Sequence, residues 1–177
     1  MTERPDEGVA EIPAGRGVAE VPIEGELAKV EAEVEEDLAA LDVDAPLVAI
    51  VMGSESDRET MAKAEAELEE RGIFYEVRVM SAHREPDVVS EYAKELKFRG
   101  FRVVIAGAGL SAALPGVMAA HTELPVIGVP LTSASSALGG LDALLACTQM
   151  PPGVPVGSVG LNAARNAAVL AARIIES

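Results

Sequence analysis

Between residues 47 and 177 the chain repeats one pattern: a short apolar run, a turn rich in Gly, Ser or Asp, then a stretch with helical spacing. The first run is the clearest. Leu47 to Val51 are apolar without interruption, with Pro46 before them and Gly53 just after. A run that short and that uniformly apolar reads as a strand buried on both faces, as in a parallel sheet. Further runs predict strands at Tyr75–Met80, Arg102–Ala106, Pro125–Val129 and Val154–Val159. Helices are predicted over Asp57–Arg71, stopping at Gly72, and from Pro86, a first-turn proline, to just before Gly100. Others cover much of Ser111–His121, Leu138–Met150 and Asn162–Ile175. Five such βα units in succession, joined by right-handed crossovers, predict a three-layer αβα sandwich. Its sheet is five-stranded and mostly parallel, of flavodoxin-like or Rossmann-like type.

Aromatic residues make up only 3% of the chain and Trp is absent, so the core must be built from Ala, Val, Leu and Ile. The single cysteine, Cys147, excludes an internal disulfide framework and fits a reducing compartment. Its surroundings, L-L-A-C-T, predict a small packed hydrophobe in a helix rather than a nucleophile. No apolar run approaches a membrane span, and the acidic N-terminus lacks the basic and apolar regions of a signal peptide. A soluble cytoplasmic protein is expected.

Charge divides the chain. Of the net −15, residues 1–46 contribute 14 acidic and 3 basic side chains, while residues 47–177 carry 15 and 11. The reading is therefore an acidic N-terminal extension, 1–46, followed by a single catalytic α/β domain, 47–177. The extension is rich in Glu, Pro and Gly and reads as largely disordered. An amphipathic helix is predicted over 26–41, marked by Leu27, Val30, Val34, Leu38 and Leu41. This charge balance argues against nucleic acid as a partner, since a phosphate backbone needs a basic footprint. It also gives no long-range attraction for an anion, so any phosphate must be caught by local groups.

Those groups cluster at one end of the predicted sheet. Strand one runs into G-S-E-S-D, Gly53 to Asp57; strand two into S-A-H-R, Ser81 to Arg84; strand three into G-A-G, Gly107 to Gly109. In open α/β sheets ligands sit outside the carboxyl ends of the strands, where helix N-termini present free N–H groups. Ser56 and Glu59 have capping-box spacing, which predicts the start of the first helix. Arg84 offers a planar fork for a phosphate. His83 carries a proton that moves near neutral pH and is the candidate acid/base; the alternative is a histidine that caps the next helix. Asp57 suits a sugar hydroxyl or His83 itself. His121 ends a helix before Glu123 and reads as a surface or C-cap residue. No Cys/His cluster has metal-ligand spacing, and no G-x-G-x-x-G follows strand one.

Five motifs together carry a resemblance: M-G-S-E-S-D (Met52–Asp57), S-A-H-R-E-P-D (Ser81–Asp87), I-A-G-A-G (Ile105–Gly109), L-P-G-V-M-A-A-H-T-E-L-P-V-I-G-V-P (Leu114–Pro130) and Q-M-P-P-G-V-P-V (Gln149–Val156). In this order and spacing they resemble the N5-carboxyaminoimidazole ribonucleotide mutase and phosphoribosylaminoimidazole carboxylase catalytic subunit family. S-A-H-R, rather than S-A-H-K, is closer to its mutase branch. The resemblance implies a reaction in de novo purine biosynthesis: a carboxylate leaves N5 as CO2, is held, and is re-added at C4. It implies His83 as the catalytic acid/base, Ser54 and Asp57 as ribonucleotide contacts, and Arg84 as the phosphate contact. It implies no metal or organic cofactor, and a homo-octamer. The chain departs from the pattern at one place. G-A-G-L-S-A-A-L-P-G, Gly107 to Gly116, puts Ala113 where a second family histidine is expected, with Leu110 and Ser111 in place of smaller residues. Two other readings stand beside the mutase: a carboxylase using free CO2 on aminoimidazole ribonucleotide or another nucleotide, similar to the nickel-pincer carboxylases, and a non-catalytic nucleotide-binding protein of this fold.

Overall fold

In a computed structural model the structure describes residues 45–177. The readings of disorder and of a helix at 26–41 lie outside the described residues. The elements alternate as expected: β1 (Val48–Met52), α1 (Arg58–Glu70), β2 (Tyr75–Val79), α2 (Pro86–Glu95), β3 (Val103–Gly109), α3 (Ala113–His121), β4 (Val126–Leu131), α4 (Leu141–Thr148), β5 (Gly157–Ser158) and α5 (Ala164–Ile175). All strand pairs are parallel, in the order β2-β1-β3-β4-β5. The chain reverses its direction of travel across the sheet between β1 and β3, which makes the carboxyl ends of those strands the switch point.

β1 shows why the sheet sits in the middle. All five of its residues are fully buried. Side chains alternate along a strand, so Val48, Ile50 and Met52 face one way and Ala49 and Val51 the other. The first set packs with Met61, Ala64 and Leu68 of α1 and Ala164, Ala167, Ala168 and Ala171 of α5. The second packs with Val89, Tyr92 and Ala93 of α2, Leu114 and Met118 of α3, and Ala143 and Cys147 of α4. Burying each Val, Leu or Ile stabilises the domain by about 1.5–3 kcal/mol. The alanine face of α5 lets it lie close to α1, and the Arg165 Nε–H donates to Glu67 Oε2 at 2.6 Å between them. Cys147 is fully buried, as its setting predicts, and burial pushes its thiol up to about 11.

Several element boundaries shift by a few residues from the sequence reading, and three of the shifts have a clear local cause. β3 continues through Gly109 because Gly107 and Gly109 carry no Cβ: one would overlap the Met61 sulfur and the other would sit 3.1 Å from the Leu131 carbonyl oxygen. α4 begins at Leu141 and not Leu138, because Leu138, Gly139 and Gly140 adopt left-handed backbone (φ 47°, 68° and 102°) that cannot enter a helix. β5 pairs only through Gly157 and Ser158, although Val154–Val159 reads as strand. Pro155, without an N–H, stands at this edge.

The other edge carries a charged cluster. Glu76 on β2 accepts from Arg99 at 2.6 Å, Tyr92 at 2.8 Å and Arg78 at 3.1 Å. Arg99 also stacks over Phe101, 5.0 Å from its centroid. Burial opposes ionisation of Glu76, but these donors outweigh it and hold the carboxyl at about 2, against an ordinary value of 4.5. A depressed carboxyl stabilises the fold above its unfolded pKa, and that contribution fades as pH falls from about 4.5 toward 2. With solvent screening discounted, we expect about 1–2 kcal/mol. Urea melts of the wild type and of Glu76→Gln at pH 6 and pH 3 check this. The gap between the two proteins should shrink in acid, and an unchanged gap would remove Glu76 from the acid response.

Candidate active site

The carboxyl ends of β1 to β4 open into one cleft of about 360 Å3. The turn after β1 supplies Gly53, Ser54, Ser56 and Asp57; the turn after β2 supplies Ser81, Ala82, His83 and Arg84. Every residue assigned a site role from sequence therefore lines the same cavity. His121 does not. It is the exposed last residue of α3, at the other end of that helix from cleft-lining Ala113.

The turn after β1 is built differently from a Ser56–Glu59 capping box. Ser54, in extended backbone, caps a single 3-10 turn over Glu55–Asp57. Its Oγ accepts from the Ser56 N–H at 3.3 Å and from the Ser56 hydroxyl at 3.0 Å. Asp57, directly before α1, is already helical (φ −87°, ψ −12°), so the cap moves back to Ser54. Asp57 is half-buried, and that burial raises its carboxyl above the usual range against lowering contributions from Ser54 and Ser56. A hydroxyl donor from a ligand would relieve that desolvation.

The S-A-H-R segment folds into a tight turn. The Glu85 N–H donates to the Ser81 carbonyl at 2.8 Å, and the Arg84 N–H to the buried Ser81 hydroxyl at 3.4 Å. Arg84 reaches across to β1, its Nη2 donating to the Gly53 carbonyl at 2.8 Å. This bond fixes the guanidinium over the Gly53–Asp57 turn, and its other donors meet no acceptor among the described residues. His83 is exposed and makes no hydrogen bond among the described residues. It does not cap α2: Glu85 holds the N-cap position, with Pro86 as the first helical residue. Both imidazole nitrogens are open to a ligand.

The opposite wall is apolar. Ala108, Gly109, Leu110, Ala112, Ala113 and Leu114 line it from β3 and the start of α3. Leu110 and Ala112 sit in left-handed backbone, φ 55° and 35°. Non-glycine residues held there cost about 1–2 kcal/mol each. Sequence reasoning missed this wall's far edge: Leu131, Thr132 and Ser133 at the end of β4. The signal was available, because Thr132 follows an apolar strand run just as Ser81 does. Among the described residues no group of three or more His, Cys, Asp or Glu could hold a metal ion, and no helix is long and apolar enough to cross a membrane.

Comparison with known proteins bears on this geometry. The N5-carboxyaminoimidazole ribonucleotide mutase of Pyrococcus horikoshii is 53% identical over 132 residues, 75% of this chain and 73% of that protein. The protein of the same name from Bacillus subtilis is 54% identical over 134 residues, covering 75% and 82%. The crystal structure of Treponema denticola PurE aligns with a TM-score of 0.64 at 34% identity, covering 74% of this chain and 80% of that one. The AIR carboxylase family model matches residues 47–177, from the first residue of the β1 run to the C-terminus, and so takes in every wall of the cleft. The chain belongs to the AIR carboxylase family.

Proposed function

We propose that this protein converts N5-carboxyaminoimidazole ribonucleotide to 4-carboxy-5-aminoimidazole ribonucleotide, an isomerisation in purine biosynthesis. One observation carries the reading: His83, with both ring nitrogens open, shares a cleft with Arg84 and the Ser54–Asp57 turn. Arg84 and the backbone of that turn take the phosphate, since a bidentate fork beside a helix start suits an anion. Ser54 and Asp57 hold the ribose.

The reaction then needs only proton transfer and exclusion of water. The N5–carboxyl bond breaks, its electron pair stays on N5, and His83 delivers the proton that N5 takes up. The released CO2 rests against the apolar wall from Ala108 to Leu114, which keeps it from water. C4 attacks it, the new carbon–carbon bond forms, and His83 takes the C4 proton. No atom is gained or lost. Because Ala113 offers no second acid/base, one imidazole serves both steps. The domain works in the cytoplasm as a homo-octamer in this reading.

The test supplies N5-carboxyaminoimidazole ribonucleotide in bicarbonate-free buffer, and separately aminoimidazole ribonucleotide with bicarbonate. C4-carboxylated product should form readily from the first. Product only from the second would make the protein a direct carboxylase.

Arg84→Lys keeps the charge but loses the fork and the bond to Gly53. Ribonucleotide affinity should fall by about 1–3 kcal/mol, the scale of a charged hydrogen bond. Titration with the ribonucleotide and its dephosphorylated nucleoside checks this. Equal affinities of wild type and variant for both would place the phosphate elsewhere.

A further inference from the structure

Thr132, just past the end of β4, is held by a residue thirty positions later. Asn162 sits in left-handed backbone (φ 54°), anchored by its N–H to the Pro130 carbonyl at 2.9 Å. Its carboxamide meets Thr132 twice: the Thr132 N–H donates to Oδ1 at 3.0 Å, and Nδ2 donates to the Thr132 Oγ1 at 2.7 Å. The orientation of this amide is unambiguous. A backbone N–H only donates, so the atom facing it is the oxygen, and the atom facing the hydroxyl is NH2. An NH2 group also only donates. The hydroxyl must therefore accept, and its own proton must point elsewhere. Among the described residues no acceptor takes it. On the methyl side, Gly140 (φ 102°) lies so close that a Cβ there would overlap Thr132 Cγ2. Two elements outside the strand thus hold this side chain in place.

We propose that Thr132 is an oriented hydroxyl donor to the substrate's carboxylate, and to the CO2 derived from it, with Asn162 as its positioning residue. The assignment rests on the carboxylated-ribonucleotide reading given above. Carboxylate and CO2 oxygens only accept hydrogen bonds, so they need a donor in an otherwise apolar wall. On the β3–β4 side of the cleft, Thr132 and Ser133 are the lining residues whose side chains can donate. Ser133 is held only within its own loop, accepting from the Ser135 N–H at 3.2 Å. The Asn162 amide takes one of the two lone pairs on Thr132 Oγ1 and turns the hydroxyl proton away from itself, so the donor is aimed elsewhere.

The experiment compares two ligands, 4-carboxy-5-aminoimidazole ribonucleotide and the uncarboxylated aminoimidazole ribonucleotide, by calorimetry. Thr132→Val keeps the shape and removes the donor. Asn162→Asp still accepts from the Thr132 N–H but cannot donate to Oγ1, so it captures the hydroxyl proton for itself. Each should weaken the carboxylated ligand about tenfold or more and leave the uncarboxylated one within about twofold. Thr132→Ser should bind both like wild type. The double variant should lose no more than the worse single variant, because both changes remove the same donor. Parallel losses for the two ligands, or losses that add in the double variant, would overturn the assignment. Should Thr132→Val fail to fold, Asn162→Asp carries the same comparison. A wild type that binds both nucleotides while the variants keep its selectivity sinks the Thr132 role alone; a wild type that binds neither sinks the proposed reaction and this role with it.

Discussion

His83→Asn abolishes measurable turnover and leaves nucleotide binding close to wild type. That is the expected result of removing the only imidazole among the described residues that line the cleft. Losing a general acid/base costs a factor of roughly 10² to 10⁴. The upper part of that range is expected here. The lining residues include one carboxyl, Asp57, and it sits on the β1 turn among Ser54 and Ser56. The first residue of α3 is Ala113, so no second imidazole can share the load. Asn keeps the approximate size and one hydrogen bond. Because His83 bonds to no described residue, its replacement disturbs nothing in the fold. Single-turnover rates with saturating N5-carboxyaminoimidazole ribonucleotide, alongside calorimetric affinity, separate the two quantities. A variant within tenfold of the wild-type rate would take His83 out of the proton transfers.

Gly107→Val should lower the unfolding midpoint by roughly 6–10 °C, the equivalent of about 2 kcal/mol or more. β3 is central, and Gly107 pairs with Met52 on one side and Val129 on the other. A Cβ at Gly107 would overlap the Met61 sulfur and lie 3.0 Å from its terminal methyl, and Met61 is itself fully buried. A branched side chain adds two more carbons to that collision. The backbone cannot back away, because the Gly107 carbonyl accepts the Gly53 N–H at 3.3 Å and so anchors the turn after β1. Thermal melts of Gly107→Val and Gly128→Val offer a useful pair. Gly128 meets Val156 Cγ1 at 2.9 Å, close to the short β5 edge, where the neighbour has more room to move. The first variant should be the more damaged; equal midpoints would mean that α1 shifts freely over β3.

The layers and the order of elements were legible in the sequence because burial leaves a mark there. Val48, Ile50 and Met52 alternate with Ala49 and Val51, and both sets must be apolar in a strand covered twice. The cleft's polar half was legible for a related reason: Ser54, Asp57, His83 and Arg84 follow directly on apolar runs. What stayed hidden depended on contacts distant in sequence. Nothing local to Thr132 announces Asn162, since the two meet only when α5 is placed beside β4. The left-handed turns at Leu110, Ala112 and Leu138 were hidden too, because these residue types do not favour that backbone and tertiary packing imposes it. The helix cap fell on Ser54 rather than Ser56 through a single 3-10 turn, a shift finer than side-chain spacing can register.

The buried thiol gives the protein a built-in reporter of its own breathing. Cys147 is the only cysteine in the chain, is fully enclosed, and is far from ionised at neutral pH. An alkylating reagent reaches it only when α4 lifts from β4 or the whole domain opens. Its labelling rate, divided by that of a free thiol under the same conditions, reads the equilibrium constant of that opening without any engineered probe. Because α4 follows the loop that presents Thr132, a nucleotide that orders this side of the cleft should slow the labelling, and the ratio of the two rates measures how far occupancy stiffens the sheet's short edge.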